Sequence, residues 1–241
     1  AYYSDKGSRF NQLSRYWIAE SYYRNDQYQQ ARELYTELYN QSALYRQPES
    51  YLIPYNIAYC FYQEGDYDAA EKWYKAYLDG SVVDYRKDAL ERVGDCHFVR
   101  KDYKSASETY DLVVRDFYNV NDIYPYYQAA LSYGLSRNGD RKIKLLTNAL
   151  SADPTARFYP EALYELGRAY VLREDDAKAE GVFHQLASTA KDTTFVAKAY
   201  IELGSLSRNQ SQFNEALGYY KTVVEEMPLS GYSEDALAAI E

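Results

Sequence analysis

The chain has 241 residues, 46% of them apolar, with a formal net charge of −9 and a pI near 4.9. That apolar content can build a core, while no uninterrupted apolar run approaches the roughly 18 residues a membrane span needs. So acidic a surface repels phosphate backbones, which argues against nucleic acid as a partner.

Taken from the N-terminus, the chain opens AYYSDKGS, with neither an initiator methionine nor a charged-then-apolar leader. This fits a mature secreted protein, an excised fragment or a cytoplasmic form alike. Apolar residues then recur at helical spacing. They predict helix pairs at 10–24 and 27–41, 50–63 and 67–79, 86–99 and 103–116. Three more pairs follow at 123–137 and 141–151, 159–173 and 176–189, 194–208 and 212–226. Short polar turns separate the members of a pair, as with GD at 65–66, KD at 101–102, NGD at 138–140 and EDD at 174–176. Proline closes some second helices, at Asp153-Pro154 and Met227-Pro228. With 11 glycines and 6 prolines, an all-β or disordered chain is disfavoured, and no stretch alternates as a strand does.

The pairs are copies of one unit. GDYDAAEKWY at 65–74 is echoed by NDQYQQARELY at 25–35, KDYKSASETY at 101–110 and SQFNEALGYY at 211–220. A small residue anchors each first helix: Ala19, Ala58, Gly94, Ala130, Gly167 and Gly204, spaced by 39, 36, 36, 37 and 37 residues. Twelve residues on stand Ala31, Ala70, Ala106, Lys142, Ala179 and Ala216, and four beyond those Tyr35, Tyr74, Tyr110, Leu146, Phe183 and Tyr220. Backbones of crossing helices approach closely only through small residues. Gly94 and Gly167 are therefore expected to face Ala106 and Ala179, the aromatic filling the gap as the helices diverge. One hairpin cannot bury its apolar face alone, so the pattern must recur. In the fourth copy Lys142 replaces the alanine and the turn looks displaced by two residues, which predicts an irregular second helix.

This pattern resembles the tetratricopeptide repeat family, most closely at LYELGRAY (163–170) with Ala179 and Phe183, and at AYIELG (199–204) with Ala216, Tyr220 and Pro228. The resemblance covers about residues 10–240. It implies an all-α, right-handed superhelical solenoid forming one domain over 1–241. Repeats are expected near 10–45, 50–84, 86–120, 123–156, 159–192 and 194–230, with an extra helix at 231–241. Spacings of 36–39 residues exceed the usual family length. The tail YSEDALAAIE puts Glu241 where a small anchor belongs, as either a solubilising end helix or the cut edge of a longer array. The long, Tyr-rich repeats are also similar to those of bacterial cell-envelope assembly proteins, which favours a periplasmic or outer-membrane-associated location over a cytoplasmic one.

Enzyme motifs are lacking: there is no Gly-rich phosphate loop, G-x-S-x-G, H-E-x-x-H or paired C-x-x-C. His97 and His184 read as structural or surface residues, since a metal site needs several converging ligands. Cys60 and Cys96 hold the same slot in adjacent copies, expected about 10 Å apart and beyond the reach of a disulfide. No cofactor or metal is expected.

The 31 tyrosines are more telling. The aromatic slots of the repeat account for ten, leaving 21 outside the packing pattern. In the family the first helices line a concave groove through residues three before, one after and four after the anchor. Carried over, these positions give a binding surface of Tyr16, Tyr23, Tyr55, Tyr59, Tyr62, Glu91, Asp95, Tyr127, Tyr164 and Arg168. Tyrosine suits such a surface, combining contact area, low entropic cost and a hydroxyl. The acids of copy three add a preference for basic or amine-bearing segments. Tyr16, Glu20, Tyr55 and Tyr59 occupy the slots where the family's chaperone-tail clamp carries Lys and Asn, so such tails are not expected ligands. The resemblance implies a non-enzymatic scaffold that binds a peptide or protein segment. The alternatives are rings that pack on one another, and a structural or assembly subunit of a longer envelope protein.

Overall fold

The computed structural model describes residues 9–41, 47–80 and 84–241; the opening octapeptide and the loop ends at 42–46 and 81–83 lie outside the described residues. The fold is all-α: thirteen helices and no strand among the described residues. The chain divides into two compact units. Unit 1, Ala1–Phe117, holds α1 (Arg9–Arg24), α2 (Tyr28–Asn40), α3 (Pro48–Glu64), α4 (Tyr67–Leu78), α5 (Arg86–Val99) and α6 (Tyr103–Asp116). Unit 2, Tyr118–Glu241, holds α7 (Tyr124–Leu135), α8 (Gly139–Ala149), α9 (Tyr159–Val171), α10 (Asp176–Thr189), α11 (Thr193–Asn209), α12 (Phe213–Glu226) and α13 (Ser233–Ile240). Within each unit every helix packs on the next in sequence, so hairpins stack into a helical-repeat array.

One turn is used six times. Seven residues after each anchor the backbone is left-handed, at Asp26, Gly65, Lys101, Arg137, Glu174 and Ser211, with φ between 57° and 81°. The next residue's amide then reaches back to the carbonyl five residues earlier, as in Asp66 N to Phe61 O at 3.0 Å and Asn138 N to Tyr133 O at 2.8 Å. This satisfies carbonyls that a helix end would leave unpaired. The same residue starts the second helix. Asp66, Asp102, Asn138 and Asp175 each accept a hydrogen bond from the backbone N–H three residues on.

The fourth repeat corrects an expectation. Asn138 caps α8 as the aspartates do, so α8 starts at Gly139, nine residues after Ala130, as every second helix starts nine after its anchor. The turn is not displaced. Lys142 fits because Gly134 has no side chain: a Cβ there would lie 2.9 Å from the lysine Cδ. The stem lies across Gly134 while the ammonium pairs with Glu165 at 2.6 Å.

The anchor glycines also meet a different neighbour from the one expected. A Cβ on Gly94, Gly167 or Gly204 would lie 2.8, 2.5 or 2.5 Å from the ring of Tyr110, Phe183 or Tyr220. The absent side chain makes room for the aromatic of the partner helix, and the alanine slot is not the closest contact. The ring is the larger object, so it takes the space the glycine leaves, and all three rings are buried. In the first two repeats Tyr35 and Tyr74 share clusters with Ala31 and Ala70.

Candidate functional site

The tyrosines of unit 1 converge. An open cavity of about 420 Å³ is lined by Tyr16, Tyr23, Tyr55 and Tyr59, four of the expected surface residues. Trp17, Glu20, Arg24, Asn56 and Tyr85 complete much of its wall. Helices α1 and α3 carry most of this lining, their side chains three and four residues apart falling on one face. The rings hold one another: Tyr23 edge-on to Tyr59 at 5.8 Å, and Tyr55 tilted against Tyr59 at 5.7 Å and against Tyr85 at 5.4 Å.

The other expected residues stand elsewhere. Tyr62 is half-buried outside the cavity wall. Glu91 and Asp95 are buried, at 6% and 5% exposure, and are paired inside the protein. Glu91 binds Lys87 at 2.6 Å. Asp95 accepts from Tyr62 at 3.2 Å, and also from Arg92 and Tyr110. Tyr127, Tyr164 and Arg168 belong to unit 2: Tyr127 stacks on Phe158, Tyr164 is half-buried, and Arg168 is exposed. Even Tyr16 is only 4% exposed.

Burial favours the neutral form of the Tyr16, Tyr23, Tyr55 and Tyr62 hydroxyls. Burial, with the Glu20 charge second, pushes Tyr16 up to about 12. Burial, followed by the Asp95 carboxylate, does the same for Tyr62. Tyr23 and Tyr55 are raised further, again by burial first. Tyr55 donates to Asp88 at 2.7 Å, Asn56 donates to Tyr16 at 3.1 Å and to Glu20 at 3.1 Å.

A second rule links the residue after each anchor to the aromatic sixteen after the anchor. Tyr35 donates to Glu20 at 2.6 Å, Tyr110 donates to Asp95, and Tyr220 meets Ser205 at 3.2 Å. Where the aromatic slot has no hydroxyl, at Leu146 and Phe183, the partner slot holds Leu131 or Arg168. Repeat two breaks the rule. Tyr59 takes the partner slot, and the fully buried Tyr74 hydroxyl has no hydrogen-bond partner. Its ring lies under the cavity tyrosines, 5.8 Å from Tyr55 and 6.4 Å from Tyr59.

Sequence reasoning missed Trp17 and Asn56, which share one slot two before the anchor. That slot is polar in the other five repeats: Asn56, Arg92, Gln128, Glu165 and Glu202. Several of these reach the preceding repeat: Asn56 to Tyr16, Arg92 to Tyr62 at 3.4 Å, and Glu202 accepting from Tyr164 at 3.1 Å. A polar residue beside a small anchor on an otherwise apolar face was the available signal.

The thiols and imidazoles are placed for packing. Cys60 and Cys96 are free and buried, both pushed up to about 12 by burial first. His97 sits between Arg100, 3.1 Å away, and Glu71, 3.5 Å away; burial depresses it, against the pull of Glu71. His184 lies on the surface near Glu180 and Tyr219. Among the described residues no three His, Cys, Asp or Glu side chains group as metal ligands.

Two sequence profiles, both described as tetratricopeptide repeat, match residues 16–81 and 162–197. The chain carries tetratricopeptide repeats. The first profile spans the lining from Tyr16 to Tyr59. No curated protein matches the chain. Among solved structures it is similar to the C-terminal part of a TPR repeat-containing protein from Cytophaga hutchinsonii. There the identity is 20%, covering 93% of this chain and 84% of that one, with a TM-score of 0.73. MamA from Desulfovibrio magneticus RS-1 is 20% identical, covering 78% and 96%, with a TM-score of 0.62. YrrB, a TPR protein with an unusual peptide-binding site, is 15% identical, covering 82% and 97%, with a TM-score of 0.62. At these identities the likeness is one of fold. Tetratricopeptide-repeat proteins are generally non-enzymatic scaffolds.

Proposed function

We propose that the chain is a non-enzymatic protein-interaction scaffold that holds a peptide or protein segment against the tyrosine-lined cavity of unit 1. The cavity itself is the observation that supports this reading: about 420 Å³, walled by aromatic rings, with tyrosine hydroxyls and Asn56 offering polar contacts. Such rings supply contact area with little entropy to lose. Trp17 and Tyr85 remain 54% and 58% exposed at its edge, where a ligand would cover them. A peptide site on this fold in YrrB supports the same use here. Glu20 in the wall favours an amine or guanidinium on the ligand, although Tyr35 and Asn56 already bind its carboxylate.

The test is selection of linear peptides from a displayed library on the intact chain, then titration of the selected peptides against a Trp17→Ala/Tyr85→Ala variant. Affinity is expected to fall at least about tenfold, the loss of buried aromatic anchors, with thermal unfolding unchanged. Retained affinity would place the binding surface elsewhere. Tyr55 and Tyr59 are poorer probes, since Tyr55 packs on Tyr59, Tyr74, Tyr77 and Tyr85 and its removal would also loosen the core.

A further inference from the structure

We propose that the unit 1 cavity is an aromatic cage for a trimethylammonium group, a chemistry that rests on the reading of that cavity as the binding site. Five partly exposed rings line it: Trp17, Tyr23, Tyr55, Tyr59 and Tyr85. Its volume of about 420 Å³ falls among sites for small molecules, which span roughly 300–1,000 Å³. Tyr23 stands at 87° to Tyr59, and Tyr55 at 52° to Tyr59 and 30° to Tyr85. The wall therefore turns corners, as a box does. Tyr85 joins it from a left-handed backbone, φ 55°, uncommon for a residue with a side chain. Elsewhere in the unit rings carry the protein's own cations, Arg32 over Phe61 and Arg92 over Tyr62. Among the described residues no Lys or Arg lies over the five cavity rings.

Repeat two gives up a hydrogen bond at this wall. In repeats one, three and six the residue after the anchor, Glu20, Asp95 or Ser205, meets the hydroxyl of the aromatic fifteen residues on. Tyr59 holds that slot in repeat two, and the fully buried Tyr74 hydroxyl beneath it has no partner. A ring facing the cavity stands where an acceptor would have paired the core. An unmade buried hydrogen bond costs stability, and a chain's departures from its own packing rule concentrate at functional sites.

Charge and hydrogen-bond supply then select the ligand. Glu20 is the one acid of the wall and, among the described residues, forms no salt bridge. The bonds it accepts, from Tyr35 at 2.6 Å and Asn56 at 3.1 Å, come from neutral groups and both fall on Oε1. Arg24, one turn further along α1, is the wall's cation; it is exposed and makes no salt bridge to Glu20. Asp88 behind Tyr55 is offset by Arg92 at 3.6 Å. Residues 1–117 carry 15 Lys and Arg against 19 Asp and Glu, so the field of the unit favours a cation. A primary ammonium brings three N–H donors, and Glu20 Oε2 is the one carboxylate oxygen of the wall left to take them. Donors without acceptors are costly to remove from water. A trimethylammonium has no N–H to satisfy, and ring faces attract its charge through their quadrupole. The cage therefore discriminates by methylation.

The experiment is calorimetric titration of the full chain with choline, with ethanolamine, with the neutral tert-butyl analogue of choline, and with a peptide bearing trimethyl-lysine. Choline is expected to bind saturably, and ethanolamine and the neutral analogue at least about tenfold more weakly. Glu20→Gln should weaken choline and spare the neutral analogue, whereas Arg24→Gln, at an exposed position, should tighten choline. Trp17→Ala/Tyr85→Ala should weaken it, and Phe213→Ala, an exposed ring of unit 2, should leave it unchanged. A trimethyl-lysine peptide at least about tenfold tighter than choline puts the group on a protein; one that binds no tighter makes the free head group sufficient. Absence of saturable binding by both choline and that peptide overturns the cage, as does ethanolamine or the neutral analogue binding as tightly as choline. If library-selected peptides lose affinity with Trp17→Ala/Tyr85→Ala but choline neither binds nor displaces them, the cage falls and the peptide site stands. Choline binding that Trp17→Ala/Tyr85→Ala weakens, with no peptide selected, supports the cage and removes the peptide.

Discussion

Units 1 and 2 are built on the same repeat, yet their tyrosines keep different company. In unit 1 rings meet rings and their hydroxyls meet carboxylates: Tyr35 with Glu20, Tyr55 with Asp88, Tyr62 and Tyr110 with Asp95. In unit 2 cations lie over more of the rings: Arg141 over Tyr133, Arg157 over Phe158, Lys178 over Tyr170, Lys198 over Tyr164. The difference is one of balance, since Arg32 and Arg92 lie over Phe61 and Tyr62 in unit 1, while Tyr127 stacks on Phe158 and Tyr164 donates to Glu202 in unit 2. The anchors differ too, being Ala19, Ala58 and Gly94 in one and Ala130, Gly167 and Gly204 in the other. The repeat fixes where a ring must go but not what its edge must touch.

The largest contrast should appear at high pH. Burial, first among the causes, raises Tyr16, Tyr23, Tyr35, Tyr55, Tyr62 and Tyr74 in unit 1 above the ordinary value of 10.0. In unit 2 Tyr127 and Tyr164 rise to about 12, and Tyr126 and Tyr219 also shift upward. A group with a raised folded pKa gives stability that is whole below its unfolded value and lost as pH climbs through the folded one. Above about pH 10 the unfolded chain ionises its tyrosines while the folded chain resists. Unit 1, with more rings of this kind, should lose structure first. Methyl resonances of Ile57 and Leu163, both fully buried, report the two units separately during an alkaline titration. Simultaneous loss, or Leu163 first, would dissolve the distinction.

Next in size is the glycine under the ring. Gly167→Leu should cost about 1–3 kcal/mol by forcing Phe183 aside, read as a lower urea midpoint. Gly181→Ala, on α10 with nothing within 4 Å of the added carbon, should instead gain up to about 1 kcal/mol of helix propensity. If the two substitutions behaved alike, space beneath the ring would not be what the anchor supplies.

These tests also mark how far sequence alone reached. The helices, their pairing and their period were legible because small anchors and aromatics recur at fixed offsets, a periodicity that only stacked helices satisfy. Leu166, Gly167 and Phe183 could be read as buried, and are. The contact inside the hairpin was misassigned because spacing says which residues share a face, not which side chain fills a void. The turn of repeat four was misplaced because Asn138 and Asp140 are both capping residues by type, and only the bond from Arg141 N shows that Asn138 is the one that caps. Four cavity tyrosines came from the family's groove positions, whereas Trp17 and Asn56 were hidden in a slot that no packing rule demanded. Glu91 and Asp95 looked like ligand-facing acids, although Lys87 and Arg92 stand four and three residues before them on α5 and could have been read as their partners; the bond from Tyr110 on the next helix was not legible in that way.

The smallest effect is the most discriminating, since it separates a packing role for the slot-sixteen tyrosines from a hydrogen-bonding one. Tyr35 and Tyr74 are both fully buried and both sit under alanine anchors. They differ at the oxygen: one donates to Glu20, the other has no partner. A net intramolecular hydrogen bond to a charged acceptor is worth about 1.5–3 kcal/mol, and a buried hydroxyl without a partner costs about 1–3 kcal/mol. Tyr35→Phe should therefore destabilise by about 1–2 kcal/mol, at the lower end of that range because Asn56 still donates to Glu20. Tyr74→Phe should be neutral or stabilise by about 1 kcal/mol. Opposite signs at equivalent positions of adjacent repeats cannot come from ring packing, which the two substitutions leave alike. Equal losses would show that the Tyr74 hydroxyl finds an acceptor in solution, with a water molecule beneath Tyr55 and Tyr59 as the first place to look.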